Sequence, residues 1–116
     1  MIRVSGGHHN WWTFNLDEDN AKYWVDLHPK NVKFLDFHSA ADYTAQCMAD
    51  TYSNLHVAMS GGLDSEYVAS TFYRNSIKFT PVVGFVKGSK NLDFHYALDW
   101  CDKRSITPII LEFEYN

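Results

Sequence analysis

The chain has 116 residues and a mass of 13.4 kDa, the size of one ordinary domain with a single core. Its 46% hydrophobic and 21% charged residues give the balance of a globular protein and exclude a disordered one. With a net charge of −4 and ten Lys and Arg scattered along the sequence, nothing points to nucleic-acid binding driven by phosphate neutralisation. No apolar run approaches the ~18 residues of a membrane span. The opening residues Met1–Ser5 lack the charged, apolar and small-residue regions of a signal peptide. Cys47 and Cys101 form no CxxC, so a reduced, cytoplasmic setting is expected.

Aromatic residues make up 16%, and Trp11, Trp12, Phe14, Tyr23, Trp24, Phe34 and Phe37 all fall early. Residues 11–16 and 22–27 alternate and are aromatic-rich, as strands are. The polar stretch 17–20 between them predicts a turn, hence an antiparallel β-hairpin. His28-Pro29 ends the second strand, because proline lacks the ladder donor. Residues 32–37 read as a third short strand or a lead-in coil. Residues 1–38 therefore form an aromatic hairpin region.

From residue 39 the pattern becomes helical. Ser39 with Asp42 is a relative of the capping box, and Ala41, Ala45, Met48, Ala49 and Tyr52 mark one apolar face of a helix over 39–53. That helix is expected to cover one face of a sheet. The apolar run 55–59 predicts a buried strand, with His56 as a hydrogen-bonded core histidine. Residues 64–75 predict a helix whose inward face is Tyr67, Val68, Thr71 and Phe72. A strand over 79–86, a helix from Phe94 to about Arg104 and a strand over 107–113 complete the order. Alternating strands and helices predict an α/β fold with a parallel three-stranded core sheet and flanking helices over 39–116.

The stretch Ser60-Gly61-Gly62-Leu63-Asp64-Ser65 falls at the first strand-to-helix junction. There the chain turns outside the carboxyl end of a strand, where ligands bind in such sheets. Gly61 and Gly62 can take positive φ and admit a ligand close to the backbone. Successive amides and the positive end of the following helix make an anion site for which phosphate is the usual occupant. Ser60 and Ser65 place hydroxyls at its rims, and Asp64 can favour the helix start or hold a metal ion that bridges phosphates. The loop is neither a GxxxxGK[ST] nor a GxGxxG motif. A tight turn capped by Ser and Asp with no ligand is the plainer alternative.

The SGGLDS loop after an apolar strand closely resembles the pyrophosphate-binding loop (PP-loop) of the ATP pyrophosphatase, or adenine nucleotide alpha hydrolase, superfamily. The synthetase domain of asparagine synthetases is the nearest likeness within it. The stretch Thr80-Pro81-Val82-Val83-Gly84-Phe85 resembles that family's second strand, Asn91-Leu92-Asp93 with Ala97 its next helix, and 107–113 its third strand. The resemblance spans roughly 39–114. It implies binding of ATP with Mg²⁺ and attack on the α-phosphate by a carboxylate or carbonyl oxygen. Pyrophosphate leaves, and an amine or sulfur nucleophile then displaces AMP. By the same likeness Ser60 to Ser65 hold the pyrophosphate, Asp64 the metal, and Val83, Gly84 and Phe85 approach adenine through their backbone.

Family domains continue with at least two more strands, a second glycine-and-acid loop and later basic residues, none of them in this sequence. The chain accordingly reads as part of an AMP-forming ligase, as a non-catalytic nucleotide- or anion-binding protein, or as an oligomeric interaction module. A short sheet with an unpaired edge predicts a homo-oligomer. Cys47 and Cys101 raise a sulfur-transfer variant, although both lie on apolar helical faces where cysteine acts as a small hydrophobe. His8 and His9 lack a third ligand at metal-site spacing. Trp11, Trp12 and Trp24 suit packing or a dimer contact better than ligand stacking. Asp93 and His95 stand near a helix start, where capping is the plain account and approach to the nucleotide the sharper one.

Overall fold

The computed structural model describes residues 2–6, 23–27, 31–90 and 92–114. Two compact units divide the chain, Met1–Lys33 and Phe34–Asn116. In the first, β1 (Ile2–Gly6) pairs antiparallel with β2 (Tyr23–Leu27), Val4 opposite Val25. The second strand of the expected hairpin is present and, among the described residues, pairs with Ile2–Gly6. The expected first strand over 11–16, the turn over 17–20 and His8–His9 lie outside the described residues.

The second unit is the α/β domain. Helix α1 (Phe37–Thr51) begins two residues before the expected start. Asp36, in extended conformation, accepts a hydrogen bond from the Ser39 amide at 2.8 Å. A carboxylate is the stronger acceptor for a helix's orphan amides, so Asp36 and not Ser39 is the cap. That bond, with the Ser39 side chain, holds the Asp36 carboxyl below the ordinary carboxylate range.

The strands β3 (His56–Met59), β4 (Thr80–Val86) and β5 (Ile109–Phe113) form a wholly parallel sheet in the order β3-β4-β5. Helices α2 (Leu63–Arg74) and α3 (Asp93–Asp102) make the crossovers. Both crossovers run the same way across the sheet, so right-handedness puts both helices on one face. Burial follows this arrangement. Val57, Met59, Pro81 and Val83 are buried beneath the helices, joined by Ala69 and Phe72 of α2 and Ala97, Trp100 and Cys101 of α3.

The opposite face carries exposed Ala58 and Gly84, half-buried Val82 and, by register, Ile109, Leu111 and Phe113. His56 shares it. Period-two alternation sends Val57 and Met59 inward and His56 outward, so the expected core histidine is exposed, its Nδ1 3.3 Å from the Asn54 carbonyl.

Helix α1 packs on α2, a different partner from the expected sheet face. Only Ala45 of its apolar stripe is buried; Met48 and Tyr52 remain exposed. The inward face of α2 is turned toward Ala69, Thr71 and Phe72, and Val68 is 46% exposed. A small residue at 69 lets the helix approach β3 closely, and the long residues take the flanks.

The α1–α2 contact is fastened by Asp42, which accepts from Arg74 Nε at 3.2 Å, from Arg74 Nη2 and from Asn75 Nδ2 at 2.8 Å. These bonds hold the Asp42 carboxyl below its ordinary value and raise that of the Arg74 guanidinium. A depressed carboxylate contributes stability above the unfolded-state value of about 3.9 and loses it as pH falls through the folded one. Asp42→Asn is therefore expected to flatten the acid limb of the thermal-midpoint profile below about pH 4. The effect is small, because the pair is solvent-facing. Equal slopes in both proteins would show that the contact adds nothing.

Candidate functional site

Strand β3 stops at Met59, level with Val83 of β4. The chain then passes through Ser60 and turns at Gly61, whose φ is +88°. Gly62 follows in extended conformation as the cap residue of α2, with no side chain capping that helix. The two glycines have different jobs. Gly61 supplies a left-handed turn, and a Cβ there would lie 1.8 Å from the carbonyl oxygen of Asp93 at the start of α3. Gly62 is within reach of any residue's backbone, and its hypothetical Cβ meets only the Ser60 hydroxyl at 3.3 Å.

Ser60 and Ser65 hold the turn together. Ser65 Oγ accepts from the Ser60 amide at 3.1 Å, lies 3.2 Å from Ser60 Oγ, and donates to the Gly62 carbonyl at 3.2 Å. Ser60 Oγ accepts from the Gly62 amide at 3.2 Å. Two loop amides are thus satisfied by the loop's own hydroxyls. The amides of Gly61, Leu63, Asp64 and Ser65 have no protein acceptor among the described residues; the first intrahelical bond, Glu66 N–H to the Gly62 carbonyl, begins one residue later. Three of these orphans are consecutive and occupy the first turn of a helix, where the dipole is positive.

The charges nearby are acidic. Asp64 and Glu66 lie in the first turn of α2 and Asp93 in that of α3. Acids there favour helix starts, yet they repel a bare phosphate that comes to the amides. A divalent cation between a carboxylate and a phosphate would offset that repulsion. Mg²⁺ keeps most of its waters and takes one or two carboxylates together with phosphate oxygens. No group of three or more His, Cys, Asp or Glu stands ready for a metal among the described residues.

Val83, Gly84 and Phe85 occupy the adjoining strand. The Val83 side chain is wholly buried, so only its backbone can face a ligand. Gly84 is exposed, with the Phe113 ring 3.0 Å from where a Cβ would stand. Phe85 stacks on Phe94 at 4.9 Å. Strand β4 continues to Val86 after its pairing with β3 ends at Val83, so Gly84 and Phe85 have no strand beside them on the loop side. Backbone groups at that step are open to a ligand's edge.

Sequence reasoning located the loop but missed the contact that encloses it, Gly61 against Asp93. The only signal in the sequence is the glycine itself. It also missed the pair formed by the Tyr67 hydroxyl and His38 Nδ1 at 2.9 Å, beside an apolar groove of about 350 Å³ between α1 and α2. The cysteines are both free. Burial pushes the Cys101 thiol up, and half-buried Cys47 raises the phenol of Tyr43 beside it. Compared with protein-family models, curated proteins and solved structures, the chain matches none.

Proposed function

We propose that the chain binds ATP with Mg²⁺ through the pyrophosphate moiety at Ser60–Ser65, as all or part of an AMP-forming ligase resembling asparagine synthetases. One observation carries the reading. The consecutive amides of Leu63, Asp64 and Ser65 have no protein acceptor among the described residues, at the positive end of α2, with the Asp64 carboxylate alongside. The orphan amides would take the β- and γ-phosphate oxygens, and Asp64 would hold Mg²⁺ against them. The backbone of Val83, Gly84 and Phe85 would face the base.

In such a reaction an acceptor oxygen attacks the α-phosphate, the bond to the β-phosphate oxygen breaks, and pyrophosphate departs with growing negative charge. Preorganised amides aimed at that charge stabilise it more in the transition state than in bound ATP. Titration calorimetry with ATP in the presence and absence of Mg²⁺ tests binding, and pyrophosphate release with candidate acids tests ligation. Binding without release would assign the chain to nucleotide binding alone. No binding of either ATP·Mg²⁺ or pyrophosphate·Mg²⁺ would sink the proposal.

The net charge of −4 favours a nucleotide over a nucleic acid as the ligand. No helix among the described residues is long and apolar enough to cross a membrane. The free cysteines agree with a reducing cytoplasm, which we propose as its location.

The sheet edge supports self-association. All five residues of β5 are exposed, and Ile109, Ile110, Leu111 and Phe113 are 44–54% exposed. Parallel sheets are normally covered on both faces, and an open apolar edge is a template for pairing. A homo-oligomer built on β5 is expected to revert to monomer in Leu111→Lys, read by sedimentation at micromolar concentration. Monomeric wild-type protein there would remove this part of the proposal.

A further inference from the structure

The sharpest unassigned feature beside the loop is a tier of three rings. Phe85 of β4 and Phe94 of α3 stack with centroids 4.9 Å apart and planes 22° from parallel. The His95 ring lies on Phe94, centroids 4.0 Å apart and inclined 32°. Phe94 is partly buried and packs against the core, which anchors the tier from beneath. His95 is exposed.

Two contacts put this tier at the loop's end of the sheet. Met59, the last residue before Ser60, pairs with Val83, and Phe85 stands two residues further along β4. Gly61 lies against the Asp93 carbonyl, and His95 follows Asp93 by two residues, about 3 Å of helical rise. The rings and the orphan amides therefore share one end of the sheet.

We propose that the exposed imidazole of His95, backed by Phe94 and Phe85, is the stacking surface for the nucleobase of the nucleotide. This rests on the reading of Ser60–Ser65 as a phosphate site. An aromatic platform next to phosphate-binding amides gives a nucleoside triphosphate two separate holds, one charged and one π-faced. Stacking uses a face that every base has, so His95 supplies affinity and leaves base identity to edge contacts at Gly84 and Phe85. The larger π-face of a purine gains more than a pyrimidine does.

The test is calorimetry of the full chain with ATP·Mg²⁺ and with pyrophosphate·Mg²⁺, for wild type, His95→Ala and His95→Phe. Loss of one base stack weakens binding about tenfold. His95→Ala is expected to lose about tenfold toward ATP with pyrophosphate affinity unchanged, and His95→Phe to retain both. Unchanged pyrophosphate binding also shows that the alanine variant is folded. Equal losses for both ligands, or undiminished ATP affinity in His95→Ala, would overturn the base platform and leave the loop standing. If wild type binds neither ligand, the phosphate reading fails and the platform falls with it.

Discussion

Gly61→Ala is expected to lower the thermal midpoint by more than 10 °C and to abolish nucleotide binding. Two costs combine at this position. A non-glycine residue at φ +88° is strained, by roughly 1–2 kcal/mol. The added Cβ would also sit 1.8 Å from the Asp93 carbonyl oxygen, which is backbone and cannot rotate aside. The start of α3 has to move away from the loop, bringing the total to about 3 kcal/mol or more. Each kcal/mol is worth roughly 4–8 °C in a domain of this size.

Two other glycines separate these costs. Gly88 has φ +77° with nothing within 4 Å of its Cβ position, so Gly88→Ala reports strain alone. Gly62 is extended and near only a flexible hydroxyl, so Gly62→Ala should be mild. Melting curves followed by circular dichroism should therefore rank Gly61→Ala far below both. Equal midpoints for Gly61→Ala and Gly88→Ala would show that α3 does not press on the loop.

The second large effect is expected from Asp64→Ala combined with Ser65→Ala, which should weaken ATP·Mg²⁺ binding at least 100-fold while leaving the fold in place. Ser65 Oγ is the joint of the turn, and its loss strands the Ser60 amide and loosens the orphan amides beside it. A lost hydrogen bond of this kind costs only about 1 kcal/mol of stability, so the midpoint should fall less than in Gly61→Ala. Asp64 is exposed and contributes little to packing.

The single change Asp64→Asn tests the proposed role of the metal. It should weaken binding of the Mg²⁺ complex and leave metal-free pyrophosphate bound no more weakly than before. Removing a negative charge beside an anion cannot repel it further. Undiminished ATP·Mg²⁺ affinity in the double variant would end the assignment of residues 60–65 as the site.

The parts of this protein legible in the sequence are those written in short-range patterns. Alternation marked β2, a short apolar run marked β3, three- and four-residue spacing marked the helices, and glycine, serine and aspartate marked the loop between β3 and α2. Boundaries fell within two residues, because caps and turns depend on neighbours a few positions away. At the start of α1 the cap is Asp36, three residues before the expected Ser39, because a carboxylate is the stronger acceptor.

Other features belong to the tertiary structure alone. The pairing of Tyr23–Leu27 with Ile2–Gly6, the docking of α1 on α2 and the rotation of α2 toward Ala69 each join segments distant in the chain. So do the outward face of His56 and the closure of Gly61 against Asp93. Periodicity tells a residue which side of its own element it occupies. Which neighbour lies on that side depends on how whole elements fit at close-packed density, and a pattern of a few residues carries no record of that.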